Sequence, residues 1–362
     1  MPEQEIRFCT ASDGVRIAYA TLGSGYPLVY VAGWPVHLEL EWQKPFVRRF
    51  LEDLAAGVTL IRYDMRGSGL SDRDVTDLSQ ESLARDLDAV VDHLGLERFA
   101  LMSLGDIAGP ICMTYAADQP DRVSHLVLNS GYIRGADIAP PERRRALIDY
   151  VANFGYPTSQ LLDSSDVDVA AQRDVREINE EAASHYVQAE VLRTYYEADV
   201  SEIIPRIIAP ALVLHARGDP LVPFDLGRDL ASRLPNATFD PYEGSTAIPW
   251  IISSILVREI HRFLGVPSSP SSLEAPAVPC VDYLTPRETE VLALIAAGLT
   301  SRAIGHELQL SVRTVERHIS NIYAKLNIGS RVQAAAYALD RGLVSAHLAL
   351  RSSRQLTSPE NG

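Results

Sequence analysis

Between Val312 and Leu326, apolar residues recur at Val312, Val315, Ile319, Ile322 and Leu326, spacings of 3, 4, 3 and 4 that place one stripe along a helix. The opposite face then carries Arg313, Thr314, Glu316, Arg317, Ser320, Asn321 and Lys325. These are hydrogen-bond donors and acceptors of both charge signs. Such a face suits the major groove of a nucleic-acid duplex, where base edges are told apart by hydrogen-bonding groups and phosphates are met by polar and cationic ones. An ordinary helical bundle with a solvated outer face has the same periodicity, so spacing alone leaves both readings open.

A reading helix must be set across a partner, and the flanking residues supply one. Thr285, Pro286 and Glu288 form a capping-box pattern with Pro at the first helical position, and Gly298 ends that helix. Thr300 or Ser301 can cap a short second helix ending near Leu308, and Ser311 caps the third. The turn from Gln309 to Ser311 has the length that a helix-turn-helix needs. Ser330 to Arg341 supplies a fourth helix, and residues 347–362 read as a disordered tail.

The 362 residues are 46% hydrophobic and 22% charged, the balance of a globular chain of two or three domains, which excludes a disordered or collagen-like protein. Cys9, Cys112 and Cys280 are too few and too scattered for a disulfide framework or a four-ligand zinc site. A reducing compartment is expected, with no structural metal and no cofactor. No run of 18 apolar residues occurs, and MPEQEIRF lacks the layout of a secretion signal, so a cytoplasmic protein without membrane contact is expected. Residues 282–362 hold 9 Lys/Arg against 7 Asp/Glu, leaving −16 on the first 281 residues of a chain whose net charge is −14. The acidic part repels nucleic acid, whereas the C-terminal part is free to approach it.

Pro267 to Cys280 reads PSSPSSLEAPAVPC, rich in Pro, Ser and Ala without hydrophobic period. It predicts a linker over 267–281 between a domain of residues 1–266 and one of residues 282–346. Ahead of it, strand-like runs at Val15–Ala20, Leu28–Gly33, Thr59–Asp64, Phe99–Ser103, Val123–Ser130, Ala211–Arg217 and Ala237–Tyr242 alternate with helical patterns at Ser79–Leu94, Ala108–Asp118, Phe224–Leu234 and Trp250–Phe263. That rhythm predicts an α/β fold with a mostly parallel sheet. The charged, helical stretch of about 134–200 interrupts it and reads as an inserted cap.

From Leu284 to Val344, the run LTPRETEVLALIAAGLTSRAIGHELQLSVRTVERHISNIYAKLNIGSRVQAAAYALDRGLV closely resembles the LuxR-type DNA-binding domain. The resemblance implies an all-α four-helix unit in which Val312 to Leu326 is the recognition helix. Glu316, Arg317 and Ser320 would face bases, while Thr314, Asn321, Lys325 and Arg331 would contact or frame phosphates. Many relatives carry a basic residue where Glu316 stands, and an acid there suits cytosine N4 instead. Such domains dimerise through the fourth helix on imperfect palindromes of double-stranded DNA, which puts Gln333, Ala336 and Asp340 on or near a homodimer seam. A charge of only +2 makes two half-sites read together the expected source of affinity.

The order of elements in residues 5–265, with LVYVAGWP, LIRYDMRGSGLSDR, YAADQPDRVSHLVL and ALVLHARGDPLVP, resembles the α/β-hydrolase fold. Hydrolases of that fold hold a nucleophile in a strained GxSxG turn between strand and helix. Here the turn reads Ser103, Leu104, Gly105, Asp106, Ile107, Ala108, Gly109, which puts Gly105 or Asp106 at the nucleophile position and no serine. Asp219 matches the acid. Ala247 stands where the histidine belongs, and a methyl group cannot take a proton. Losing such groups typically costs about a millionfold in turnover.

Under one register Asp106 could act like the aspartate of haloalkane dehalogenases and epoxide hydrolases, although an ester formed without a base would persist. His37, after the would-be oxyanion loop at Gly33 and Trp34, is the one substitute base considered. His93, His125, His215 and His261 read as structural or surface residues. Trp34, Ile107 and Ile248 would form an apolar pocket floor, with His37, Asp106 and Asp219 as polar groups around a small-molecule effector. Three functions compete: a ligand-responsive regulator without catalysis, a slow or single-turnover hydrolase using Asp106, and a dimerisation or protein-contact platform. A core merely filled by these side chains fits the third.

Overall fold

The computed structural model describes residues 4–104, 108–157, 169–243, 253–266, 286–308, 310–326 and 330–340, which fall into two compact units, one within residues 1–167 and 171–267 and the other within residues 168–170 and 268–362. In the first, eight strands make one sheet: β1 (Glu5–Thr10), β2 (Arg16–Gly23), β3 (Tyr26–Ala32), β4 (Val58–Tyr63), β5 (Phe99–Leu104), β6 (Val123–Asn129), β7 (Ala211–Ala216) and β8 (Ala237–Tyr242). Their order is β1-β2-β4-β3-β5-β6-β7-β8, with β1, β2 and β4 joined antiparallel and the rest parallel. Every residue of β5 and of β7 is buried, as strands covered on both faces require.

Alternate residues feed two core layers. On one face Leu101 and Leu126 pack against Leu83 and Leu87 of α3 (Gln80–His93) and Ile111 of α4 (Ala108–Asp118). On the other, Leu28, Met102 and Leu212 pack against Phe50 and Leu51 of α2 (Pro45–Leu54) and Ile260 at the C-terminal end of the unit. The short helix α1 (Leu38–Gln43), α2 and strand β1 lie outside the segments anticipated from sequence. For α2 the signal was present: Val47, Phe50, Leu51 and Leu54 are buried at helical spacing behind Pro45 at the first position.

Between β6 and β7 come α5 (Pro141–Phe154), α6 (Val169–Ala182) and α7 (His185–Glu197). They are tied down by polar contacts over long sequence distances. Lys44 Nζ lies 3.0 Å from Asp174 and 2.7 Å from Glu177, and Gly69 N donates to the Ala182 carbonyl at 2.8 Å. Thr194 Oγ1 donates to the Leu78 carbonyl at 2.9 Å. The unit is completed by α8 (Phe224–Arg233) and α9 (Ser253–Leu264).

The second unit holds α10 (Pro286–Ala296), α11 (Ser301–Leu308), α12 (Val312–Leu326) and α13 (Arg331–Asp340) around Leu292, Ile295, Ile304, Val315, Ile322, Ala334 and Ala338. Its caps are side-chain hydroxyls: Thr300 Oγ1 accepts from Ala303 N at 3.3 Å, Ser311 Oγ from Thr314 N at 3.1 Å, and Ser330 Oγ from Gln333 N at 3.2 Å. The turn after α11 folds back so closely that a β-carbon on Gly305 would sit 2.8 Å from the Leu310 carbonyl oxygen. Only glycine permits that approach without movement.

Candidate functional site

Because β3, β5, β6 and β7 run parallel, the loops after them leave the same edge of the sheet, the usual place for a site in such folds. That edge gathers Trp34 after β3, Ser130 after β6 and Asp219 after β7. Gly105, Asp106, Ile107, Ala247 and Ile248, also expected there, lie outside the described residues.

Asp219 accepts three hydrogen bonds. Its Oδ1 accepts from Leu221 N at 2.8 Å and Val222 N at 3.1 Å, and its Oδ2 accepts from Ser130 Oγ at 2.6 Å. The side chain has no exposure. His215 Nε2 approaches Oδ2 only to 3.7 Å and is 3.0 Å from the Val222 carbonyl, so this buried histidine is held by the strand-end turn. Gly227 leaves room for it, since a β-carbon there would come within 2.0 Å of His215 Nδ1. Ser130 is the one non-glycine residue with positive φ among the described residues, at 56°. Left-handed backbone is costly for serine, and the short bond to the acid helps hold it there. In the sequence Ser130 is marked only as a small residue before Gly131 at a strand end.

Beside this pair, Tyr242 donates its hydroxyl to Asn129 Oδ1 at 3.0 Å, and burial pushes the tyrosine pKa up, keeping it a donor. Asn129 Nδ2 and Ser103 Oγ are buried without a hydrogen-bond partner among the described residues. Trp34 Nε1 is likewise buried and unpartnered among the described residues, and the indole packs against Tyr156, just beyond α5, with ring centroids 4.6 Å apart. His37 caps α1: its Nδ1 accepts from Leu40 N at 3.4 Å, and burial pulls its pKa down, favouring the neutral ring. The described residues contain no cluster of His, Cys, Asp and Glu able to hold a metal.

The second candidate site is the outer face of α12. Arg313, Glu316, Arg317, Ser320 and Asn321 are exposed, while Val315, Ile319 and Ile322 are buried. Val312 departs from the expected buried stripe at 42% exposure, because the first helical turn projects beyond the core that Val315 reaches. Thr314 is half-buried with its hydroxyl 2.8 Å from Ser311 Oγ, so it serves the cap. Arg331 donates to the Leu299 carbonyl, and Arg287 to the Leu308 carbonyl and, at 2.6 Å, to Glu290; these cations frame the unit. Lys325 lies in α12, while the side chains of Lys325, Ala336 and Asp340 fall outside the described residues.

The first unit is thus an open α/β sheet with a helical insertion over its strand ends, and the second a helix-turn-helix bundle. Residues 26–156 match the alpha/beta hydrolase fold family, and residues 282–338 match the bacterial regulatory proteins of the luxR family. RutD of Caulobacter sp. (strain K31) is 31% identical over 203 residues, 52% of this chain and 74% of that protein. A soluble epoxide hydrolase of Corynebacterium sp. (strain C12) is 34% identical over 131 residues, 35% of this chain and 43% of the hydrolase. The transcriptional regulatory protein LiaR of Bacillus subtilis (strain 168) is 50% identical over 64 residues, 18% of this chain and 30% of LiaR. A bromoperoxidase structure from Bacillus anthracis, 18% identical, superposes with a TM-score of 0.63 over 72% of this chain and all of the peroxidase, a likeness of fold alone. The chain belongs to the alpha/beta hydrolase fold family and carries a C-terminal LuxR-type helix-turn-helix domain, the combination of a hydrolase fold with a transcription-regulator module.

Proposed function

We propose that this protein is a cytoplasmic transcriptional regulator that binds an imperfect DNA palindrome as a homodimer, and that its hydrolase-fold unit binds a small, mainly apolar molecule instead of hydrolysing one. The observation that carries this reading is that, among the described residues, no histidine is hydrogen-bonded to Asp219. In a working triad the acid orients a histidine. Here the donors to the acid are Ser130, Leu221 and Val222, the described histidine beside it, His215, comes no nearer than 3.7 Å, and the sequence offers Ala247 at the histidine position and Gly105 or Asp106 at the nucleophile's. His37, the considered substitute, has Nδ1 occupied as a helix cap. Trp34, with a buried indole N–H that lacks a partner among the described residues, is suited to a ligand carrying one hydrogen-bond acceptor, and Ile107 and Ile248 are apolar residues expected from the sequence at the same site.

The similarity to a soluble epoxide hydrolase favours one second reading, in which Asp106 opens an epoxide and the ester persists for want of a base. Native mass spectrometry of the full chain before and after exposure to host extract separates the two. A retained mass released on denaturation supports the sensor. An increment that survives denaturation and maps to Asp106, or multiple-turnover hydrolysis lost in Asp106→Asn, overturns it. If no molecule is retained in either form, the hydrolase-fold unit is a contact platform.

A further inference from the structure

The exposed face of α12 is made of two ridges, Val312, Glu316 and Ser320 along one and Arg313, Arg317 and Asn321 along the other, each four residues apart. Among the described residues none of these five polar side chains has a hydrogen bond or ion pair within the protein, whereas Arg287 and Arg331 of the same unit are bonded to carbonyl oxygens. An apolar valine, 42% exposed, opens the first ridge, and an unpaired carboxylate follows it.

In a major groove the donors and acceptors differ by base. Thymine alone presents a methyl group, guanine presents two acceptors, and cytosine presents a donor without a neighbouring acceptor. A carboxylate between phosphates is repelled unless it accepts a hydrogen bond, and guanine and thymine offer it only acceptor oxygens or nitrogens. Residues four apart on a helix stand about 6 Å apart at their β-carbons, between one and two base steps of roughly 3.4 Å.

Resting on the DNA-binding reading above, we propose that each half-site is read as a thymine, through its methyl group against Val312, and a cytosine one or two steps along the same strand, through N4 to Glu316. Arg317, adjacent on the second ridge, donates to the guanine of that pair or its neighbour. Arg313 offsets the acid and faces the phosphates.

The test selects duplexes with the full chain from a pool of 20 randomised base pairs, then replaces the thymine of the enriched half-site by uracil, which removes only the methyl group. Uracil should weaken binding by wild type about fourfold, the worth of one buried methyl group. It should leave binding by Val312→Ala unchanged, and Glu316→Gln should move the preferred base from cytosine toward adenine. Equal thymine and uracil affinities in wild type, a discrimination that persists in Val312→Ala, or an enriched site without the thymine and cytosine, overturns the assignment. Enrichment of no sequence refutes the DNA-binding reading itself. Both positions are exposed, so matched thermal melts of the variants show that the fold is kept.

Discussion

Ser130 Oγ stands 2.6 Å from Asp219 Oδ2, across 89 residues of sequence, and donates to one oxygen of an acid whose other oxygen is held by two backbone amides. The serine thereby provides the carboxylate with the hydroxyl donor that it would otherwise lack in a buried setting.

Removing that donor should cost about 1–3 kcal/mol, the penalty for an under-satisfied buried acceptor. Ser130→Ala and Ser130→Gly both lose the bond, but at φ 56° glycine escapes the left-handed strain that alanine keeps. Urea unfolding should therefore place Ser130→Gly about 1 kcal/mol above Ser130→Ala. Equal stabilities of the two variants would mean that Ser130 carries no strain.

Asp64 accepts from Leu38 N at 3.0 Å and Leu70 N at 2.8 Å, joining the loop after β3 to the turn after β4, and burial raises its pKa to about 8 against the effect of those amides. Unfolded aspartate titrates at about 3.9. Between about pH 4 and pH 8 the folded chain therefore holds a proton that the unfolded chain lacks, so this stabilising contribution, complete below that range, is lost as pH rises through it. Asp86, raised by burial to about 6, acts in the same direction over a narrower range. Urea midpoints from pH 5 to pH 9 should fall for wild type and flatten in Asp64→Asn; an unchanged slope would relocate the effect.

Two arginines of the second unit should separate reading from framing. Arg317 is exposed and unpaired among the described residues, and Arg317→Ala should weaken binding to a selected duplex roughly tenfold or more, as loss of a bidentate base contact does. Arg331 is bonded to the Leu299 carbonyl, so Arg331→Ala should lower the melting temperature and leave the base preference intact. Fluorescence anisotropy over a matrix of single-base changes, beside thermal melts, distinguishes them.

Gly305→Ala would drive a β-carbon to 2.8 Å from the Leu310 carbonyl oxygen, in the turn that sets α12 across α11. A shift of that turn should cost about 1–3 kcal/mol and misplace the reading face. Loss of DNA affinity with the first unit's melt unchanged is the expected result; an unaltered affinity would show that the turn yields freely.

Much of this protein is settled by residue order alone. Helical period, hydroxyl caps and Gly298 mark the four C-terminal helices within a residue or two, because period and cap are local properties. Strands β3 to β8 are legible for the same reason. Edge strand β1, with an exposed face, carries a weaker hydrophobic signal. What only the tertiary structure decided is which distant groups meet. Ser130 with Asp219, Lys44 with Asp174, and Arg331 with the Leu299 carbonyl are partners chosen by packing, and no periodicity encodes them. Val312 repeats the buried spacing yet faces outward, because a helical stripe specifies a direction while the extent of the opposing core decides where burial stops.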